Sequence, residues 1–393
     1  MKIDNTKRIR ERILELQNAK DVLNLLTGVV ANQIAFSTID SEMITTLRNE
    51  VVKLNIDETK SENDSLSIEK LILILYIESL TDAILPGYDN AKQYYMSYLE
   101  RETKIFDINE YQNNPYFKNI NFNNQVQGDY ELCFGCYAPY ELSIFDKPIH
   151  LSAYHTDIPK IGCFAEKFEY PRIKQKSING TWMSVTPNEV TTVQPAIDNA
   201  KGKVLTLGCG MGYFAYMASL KNDVDSITII ELEQDVIDLF QNNILPQFEH
   251  KEKINVIKAD AIEFMKNVKD GEYDYCFADI WLSVADIEPY LLVKEVSRRL
   301  KKTKIDYWIE DCFASYLSNY VWVEMMKSFS ISNHIDVPDT DSGLSEADLR
   351  LSNYIHRLMK KVEIKMPEDL DYYLTPKNII KFINTSKTTF NIT

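Results

Sequence analysis

Apolar residues recur at helical spacing through the first hundred positions. Ile9, Ile13, Leu14, Leu16, Val22, Leu23 and Leu26 form one such series, and Met43, Leu47, Val51 and Leu54 form a second. A polar, acidic stretch from Asp57 to Asp64 interrupts the pattern. It is followed by a strongly apolar segment, Ser67 to Leu85, that Pro86-Gly87 closes, and by another helical segment carrying Tyr94, Tyr95, Tyr98 and Leu99. These predict a helical N-terminal subdomain over residues 1–105. From 106 to 180 the texture turns to Asn, Tyr, Phe and Pro with short extended runs, Tyr130 to Tyr137 and Ile161 to Phe168, which predict a β-rich connector on the substrate side of the molecule.

Within residues 181–330 the pattern changes again. Short apolar strands (Val204 to Leu207, Ile227 to Ile230, Ile254 to Lys258, Tyr273 to Ala278, Ile305 to Ile309) alternate with helical segments (Tyr213 to Leu220, Asp235 to Leu245, Ala261 to Val268, Glu288 to Leu300). Such alternation predicts an α/β, doubly wound parallel sheet, with ligands bound beyond the C-terminal ends of its strands. The tail, 331–393, offers Ser345-Glu346-Ala347-Asp348 as a capping-box start for a helix through Met359, then a strand at Val362-Glu363-Ile364.

Composition narrows the function classes. The chain has 393 residues, 43 Lys+Arg against 58 Asp+Glu and a formal net charge of −15, which disfavours a broad nucleic-acid face. The longest apolar or aromatic run, Leu71 to Ile77, is far short of the roughly 20 residues of a membrane span. No secretory signal pattern follows Met1-Lys2-Ile3-Asp4, so the expected location is cytoplasmic. Of six cysteines, Cys163, Cys209, Cys276 and Cys312 stand alone and read as reduced thiols. Cys133-Phe134-Gly135-Cys136 has the spacing of half a zinc site or a redox pair, but no second close pair completes a ligand set, and β-favouring aromatics flank it. Two strand thiols and no metal are expected. The basic run Arg298, Arg299, Lys301, Lys302 and Lys304 ends a helix, where the macrodipole welcomes cations, or touches nucleic acid; the first reading is favoured.

The chemistry concentrates in Val204-Leu205-Thr206-Leu207-Gly208-Cys209-Gly210-Met211-Gly212-Tyr213-Phe214. Alternate glycines between a strand and a helix let backbone pass close to a ligand and aim free amides at it. A dinucleotide fingerprint wants a small residue where Tyr213 stands, whereas G-x-G-x-G resembles motif I of the class I S-adenosylmethionine-dependent methyltransferases. Within that superfamily Ile229-Ile230-Glu231-Leu232-Glu233-Gln234-Asp235-Val236-Ile237 and Met183-Ser184-Val185-Thr186-Pro187-Asn188-Glu189 resemble the spermidine synthase-like branch. The aminopropyltransferases of that branch carry an Asp-Ser-x-Asp-Pro type run after the fourth strand; here Asp279-Ile280-Trp281-Leu282-Ser283 lacks the second acid.

The resemblance implies a Rossmann-like sheet and S-adenosyl-L-methionine as cofactor. It places the cofactor against Leu207, Gly208, Cys209, Gly210, Gly212 and Tyr213, the ribose on Glu231 beside Leu232, and the adenine on Asp260 and Ala261. Asp279 then faces the methionine part and the acceptor and serves as general base. Trp182 and Trp281 fall on the substrate side. Glu231 and Asp260 each have the alternative reading of a helix cap or solvated acid, Asp279 that of a cap for the next helix, and Trp281 that of core. The expected activity is methyl transfer to a small molecule. Aminopropyl transfer from the decarboxylated cofactor and a non-catalytic nucleoside-binding scaffold are the alternatives. The apolar faces of residues 9–100 read as subdomain core or as a surface for a second subunit, so a homo-oligomer is compatible with the sequence.

Overall fold

A computed structural model describes residues 1–53, 67–84, 90–332 and 344–390. Leu54, the acidic stretch Asp57 to Asp64 and the Leu85-Pro86-Gly87 stop lie outside the described residues. At the centre is a five-stranded, wholly parallel sheet. Its spatial order is Ile254–Lys258, Val224–Glu231, Gly202–Leu207, Tyr275–Ala278, Lys304–Tyr307. The order reverses beside Gly202–Leu207, and a crevice opens at such a reversal. Tyr275–Ala278 is buried at every position, as a strand covered on both faces must be. The register pairs Ile230 with Leu207, Leu207 with Ala278, and Ala278 with Tyr307. The residues just past these, Glu231, Gly208, Asp279 and Trp308, therefore stand in a row along one edge of the sheet.

Two of the predicted helices differ in detail. The segment after Glu231 is α-helical only over Gln234–Leu239. It loosens into a π turn at Phe240–Ile244 and tightens at Leu245–Gln247, where Pro246 has no N–H to continue the ladder. The helix predicted to start at Glu288 spans Ile287–Ser297.

The connector folds as two small sheets. One is antiparallel, in the order Gln125–Gln127, Tyr130–Tyr137, Phe168–Gln175, Gly180–Ser184; the other is mixed, in the order Lys104–Phe106, Thr156–Phe164, Ser143–Leu151. The run Ile161 to Phe168 is thus two strand ends and not one strand. Between them Ala165-Glu166-Lys167 carries the chain from one sheet to the other, with Glu166 and Lys167 exposed. Two short helices the sequence did not announce, Ile108–Gln112 and Pro115–Asn119, also belong to this region. On Tyr130–Tyr137, Cys133 is buried and Cys136 exposed, because residues three apart on a strand face opposite ways.

The first long helix, Lys7–Val29, divides its inner stripe between two cores. Ile9, Ile13 and Leu16 join the core beneath the parallel sheet, and Ala19, Leu23, Leu26 and Val29 join the core of the N-terminal helices and the mixed sheet. Lys2–Ile3 pairs in parallel with Glu363–Ile364, so the two ends of the described chain are stitched together. Helix Glu346–Met359 begins at the expected capping box, with the Asp348 amide donating to Ser345 Oγ at 3.1 Å. Arg299 donates to the carbonyls of Met265 and Val268, capping the end of helix Ala261–Asn267, and Arg298 donates to that of Ile383. These arginines are internal fasteners. Among the described residues no helix is long and apolar enough to cross a membrane.

Candidate active site

A cavity of about 460 Å³ lies over the C-terminal edge of the parallel sheet. Gly208, Gly210 and Gly212 all have positive φ, at 97°, 50° and 71°. At Gly208 the requirement is spatial as well: a Cβ there would sit 2.1 Å from the carbonyl oxygen of Asp279. The two strand ends that flank the reversal are therefore pressed together, and that contact forms the floor of the cavity. A Cβ on Gly212 would meet the Phe240 ring at 2.3 Å, so this glycine serves the packing of helix Tyr213–Ser219.

Glu231 is fixed by backbone alone. Its Oε2 accepts from the Cys209 amide at 3.0 Å, and its Oε1 accepts from the amides of Leu232 and Glu233 at 2.8 and 3.0 Å. Three donors set the plane of a nearly buried carboxylate and leave it further lone pairs toward the cavity. Asp260 caps helix Ala261–Asn267 through Oδ1, which accepts from the Glu263 amide at 2.8 Å, and also lines the cavity. The two readings of this residue are compatible.

Asp279 follows the fourth strand, with its amide bonded to the Leu207 carbonyl at 2.9 Å. Burial pushes its carboxyl up to about 7. Beside it Glu189, from the first turn of helix Pro187–Asn199, is held well above the usual carboxylate range, by burial first and then by the charge of Asp279. Such a pair retains a proton near neutrality and can both give and take one. The sequence reading missed Glu189 as a site residue, although it closes the quoted string Met183 to Glu189. The signal was an acid in the first turn of a helix that leads into the glycine strand.

Of the thirteen expected site residues, eleven line the cavity: Gly208, Cys209, Gly210, Tyr213, Glu231, Leu232, Asp260, Ala261, Asp279, Trp182 and Trp281. Leu207 and Gly212 do not. The Leu207 side chain is fully buried beneath the sheet, because alternation turns it away from the crevice, and Gly212 faces Phe240. Trp281 is both core and lining. It packs edge-on against Tyr290 and Phe313, and its buried Nε1 has no protein partner. Tyr213 is nearly buried, its hydroxyl accepting from Asn114 Nδ2 at 2.9 Å.

The connector takes part in the site. Tyr116 donates its hydroxyl to the Met211 carbonyl, and Asn119 donates to the Tyr216 hydroxyl at 3.0 Å, so helix Pro115–Asn119 braces the glycine turn from outside. Trp182 and Met183 cover the cavity from strand Gly180–Ser184. Among the described residues six acids line it (Glu189, Glu231, Glu233, Asp260, Asp279, Asp286), and no Lys, Arg or His does. A cationic ligand suits this lining. A nucleoside fits the glycine floor and the oriented Glu231.

Residues 189–333, a little over a third of the chain, match the family model of the spermine/spermidine synthase domain. The matched segment contains the glycine turn and all five strands of the parallel sheet. No curated protein sequence matches the chain. Similar solved structures include spermidine synthase from Thermotoga maritima, at 15% identity over 35% of this chain and 50% of that one, with a TM-score of 0.25. A putative caffeoyl-CoA O-methyltransferase from Staphylococcus aureus is similar at 19% identity over 43% and 70%, with a TM-score of 0.27. A precorrin-6y C5,15-methyltransferase from Geobacter metallireducens is similar at 18% identity over 36% and 72%, with a TM-score of 0.26. The chain spans half the length of the Thermotoga enzyme.

Proposed function

We propose that this protein is a methyltransferase that uses S-adenosyl-L-methionine and a small-molecule acceptor. The observation that carries the reading is the cavity itself: a glycine floor, a carboxylate oriented by three amides, and six acids without a base, facing the place where a cationic nucleoside would lie. Gly208, Cys209 and Gly210 would hold the methionine part, Glu231 the ribose, and Asp260 with Ala261 the adenine edge. When bound, the cofactor supplies an electrophilic methyl carbon, so the protein needs to align the acceptor, exclude water and receive a proton. Trp182, Met183 and Trp281 exclude water. Asp279, touching the acceptor, receives the proton, and Glu189 sets how readily it does so.

A second reading is aminopropyl transfer from the decarboxylated cofactor. The family match favours it, and so does the lack, among the described residues that line the cavity, of a basic side chain to pair with a cofactor carboxylate. Calorimetry on the full chain separates the two. Tighter binding of S-adenosylmethionine and S-adenosylhomocysteine supports methyl transfer, tighter binding of the decarboxylated form supports aminopropyl transfer, and binding of none overturns both.

A further inference from the structure

The fifth strand, Lys304–Tyr307, ends the parallel sheet on one side, and among the described residues no strand lies beyond it. The Lys304 amide donates to the Asp274 carbonyl at 3.1 Å, and the Trp308 amide to the Ala278 carbonyl at 2.9 Å. In a parallel ladder alternate residues turn both backbone groups to the same neighbour. Lys304, Asp306 and Trp308 therefore face the fourth strand, and Ile305 and Tyr307, with Thr303 at the strand's entry, face outward. Among the described residues nothing bonds the N–H or the C=O of Ile305 or Tyr307. Such a row of donors and acceptors is a template for another strand.

The side chains along this edge decide which strand that is. Of the basic run at the end of helix Ile287–Ser297, Arg298 and Arg299 are engaged by internal carbonyls. Lys301 and Lys302 are exposed and form no ion pair among the described residues. Lys304 is half exposed, its Nζ 3.9 Å from Asp306 Oδ2, an oxygen that already accepts from the Tyr275 hydroxyl and from Asn199 Nδ2 at 2.8 Å each. The charges are thus antisymmetric about Ile305: Lys301, Lys302 and Lys304 precede it, and Asp306, Glu310 and Asp311 follow it. A lysine guards an edge strand when pairing would set it against its own kind. In an antiparallel pair centred on Ile305 it meets the opposite charge instead. The other edge of the sheet, Ile254–Lys258, lacks this property, because an antiparallel pair centred on its outward-facing Val256 sets Glu252 against the partner's Asp260.

We propose that Lys304–Tyr307 is the interface with a second copy of this chain, the two strands running antiparallel about a two-fold axis at Ile305, so that two five-stranded sheets become one. Ile305 exchanges both backbone bonds with the partner's Ile305, and Thr303 and Tyr307 do so with the partner's Tyr307 and the partner's Thr303. Lys304 then stands opposite the partner's Asp306, in the non-hydrogen-bonded pair where side chains approach most closely. Asp306 Oδ1 is available to that lysine, since the internal bonds fall on Oδ2. The same patch serves on both copies, so the contact closes at two chains and does not propagate. The strand is short and much of the attraction is between exposed charges, so the dimer is weak and sensitive to salt. The pairing goes beyond the transfer reaction and holds under either reading of it.

Sedimentation equilibrium of the full chain across the micromolar range tests this. At low salt the wild type should show a monomer–dimer equilibrium, and about 0.5 M salt should raise the dissociation constant about tenfold or more. Lys304→Glu sets an acid against the partner's Asp306 and should raise it about tenfold or more at low salt. Ile305→Pro removes an N–H that only the partner uses and should leave a monomer whose thermal midpoint stays within a few degrees of the wild type. If the proline variant does not fold, Lys304→Glu, made on an exposed side chain, decides alone. A wild type that is monomeric throughout, a dimer indifferent to salt, species that grow past two chains, or a dimer that Lys304→Glu leaves intact would overturn the proposal.

Discussion

Asp279→Asn should make the protein more stable above neutral pH while disabling it. The Asp279 carboxyl titrates at about 7 in the fold, against an ordinary value of 3.8, because burial removes water from its charged form. Between those values the native state holds a proton that the unfolded chain has released, so stability falls as pH rises from about 4 through about 7 and is level above. Each tenfold in proton affinity is about 1.4 kcal/mol, so the full effect approaches about 4 kcal/mol. Asp279 keeps partial contact with the cavity, and screening reduces the expected effect to about 2 kcal/mol. Asparagine has the same shape and no charge to desolvate, and it also removes the charge that raises Glu189. Urea unfolding of the ligand-free protein, followed by tryptophan fluorescence at pH 5 and pH 8, should show the wild type losing stability with pH and the variant losing much less. Turnover should fall on the order of 10²-fold or more, with S-adenosylhomocysteine affinity within a few-fold of wild type. Parallel pH slopes, or a variant less stable than wild type at pH 8, would refute the buried-acid argument. Full activity would remove Asp279 from catalysis.

Gly208→Ala should abolish measurable S-adenosylhomocysteine binding by calorimetry and destabilise the fold by at least about 2 kcal/mol, since its Cβ would collide with the Asp279 carbonyl at a positive φ. Gly210→Ala, whose nearest neighbour is the flexible Met183 side chain at 3.4 Å, should cost only about 1–2 kcal/mol for its φ of 50°. Glu231→Gln sets an amide NH₂ against backbone donors and should weaken the nucleoside at least tenfold and stability by about 1–3 kcal/mol, checked by the same titrations. Arg299→Ala frees the Met265 and Val268 carbonyls and should lower stability by about 1–3 kcal/mol, with no change in retention on a nucleic-acid column; a loss of retention would restore the nucleic-acid reading of the basic run.

The parallel sheet was legible because its signals are local and redundant. Val204 to Leu207 is apolar but for Thr206, Tyr275 to Ala278 is apolar or aromatic throughout, and each of the three acids comes at or just beyond a strand end, so periodicity and chemistry agree on the same edge. Leu207 shows the limit of reading by proximity in sequence. It adjoins Gly208, yet the alternation of a strand sends its side chain beneath the sheet. Glu189 was hidden for the opposite reason. Its partner Asp279 is ninety positions away, and nothing in a one-dimensional pattern pairs an acid in a helix's first turn with one beyond a strand. His150 and His155 were less visible still. His150 meets Asp157 only across a hairpin, and His155 meets Asp371 only when the tail helix Pro367–Leu374 docks beside the first helix. The same dependence gives a use to the tail, which the sequence left without one. Arg12 reaches Asp371 from the first helix and Asp371 fixes the His155 ring, so loss of the pairing between Lys2–Ile3 and Glu363–Ile364 should be felt first as a loosened imidazole and only afterwards as a loosened sheet.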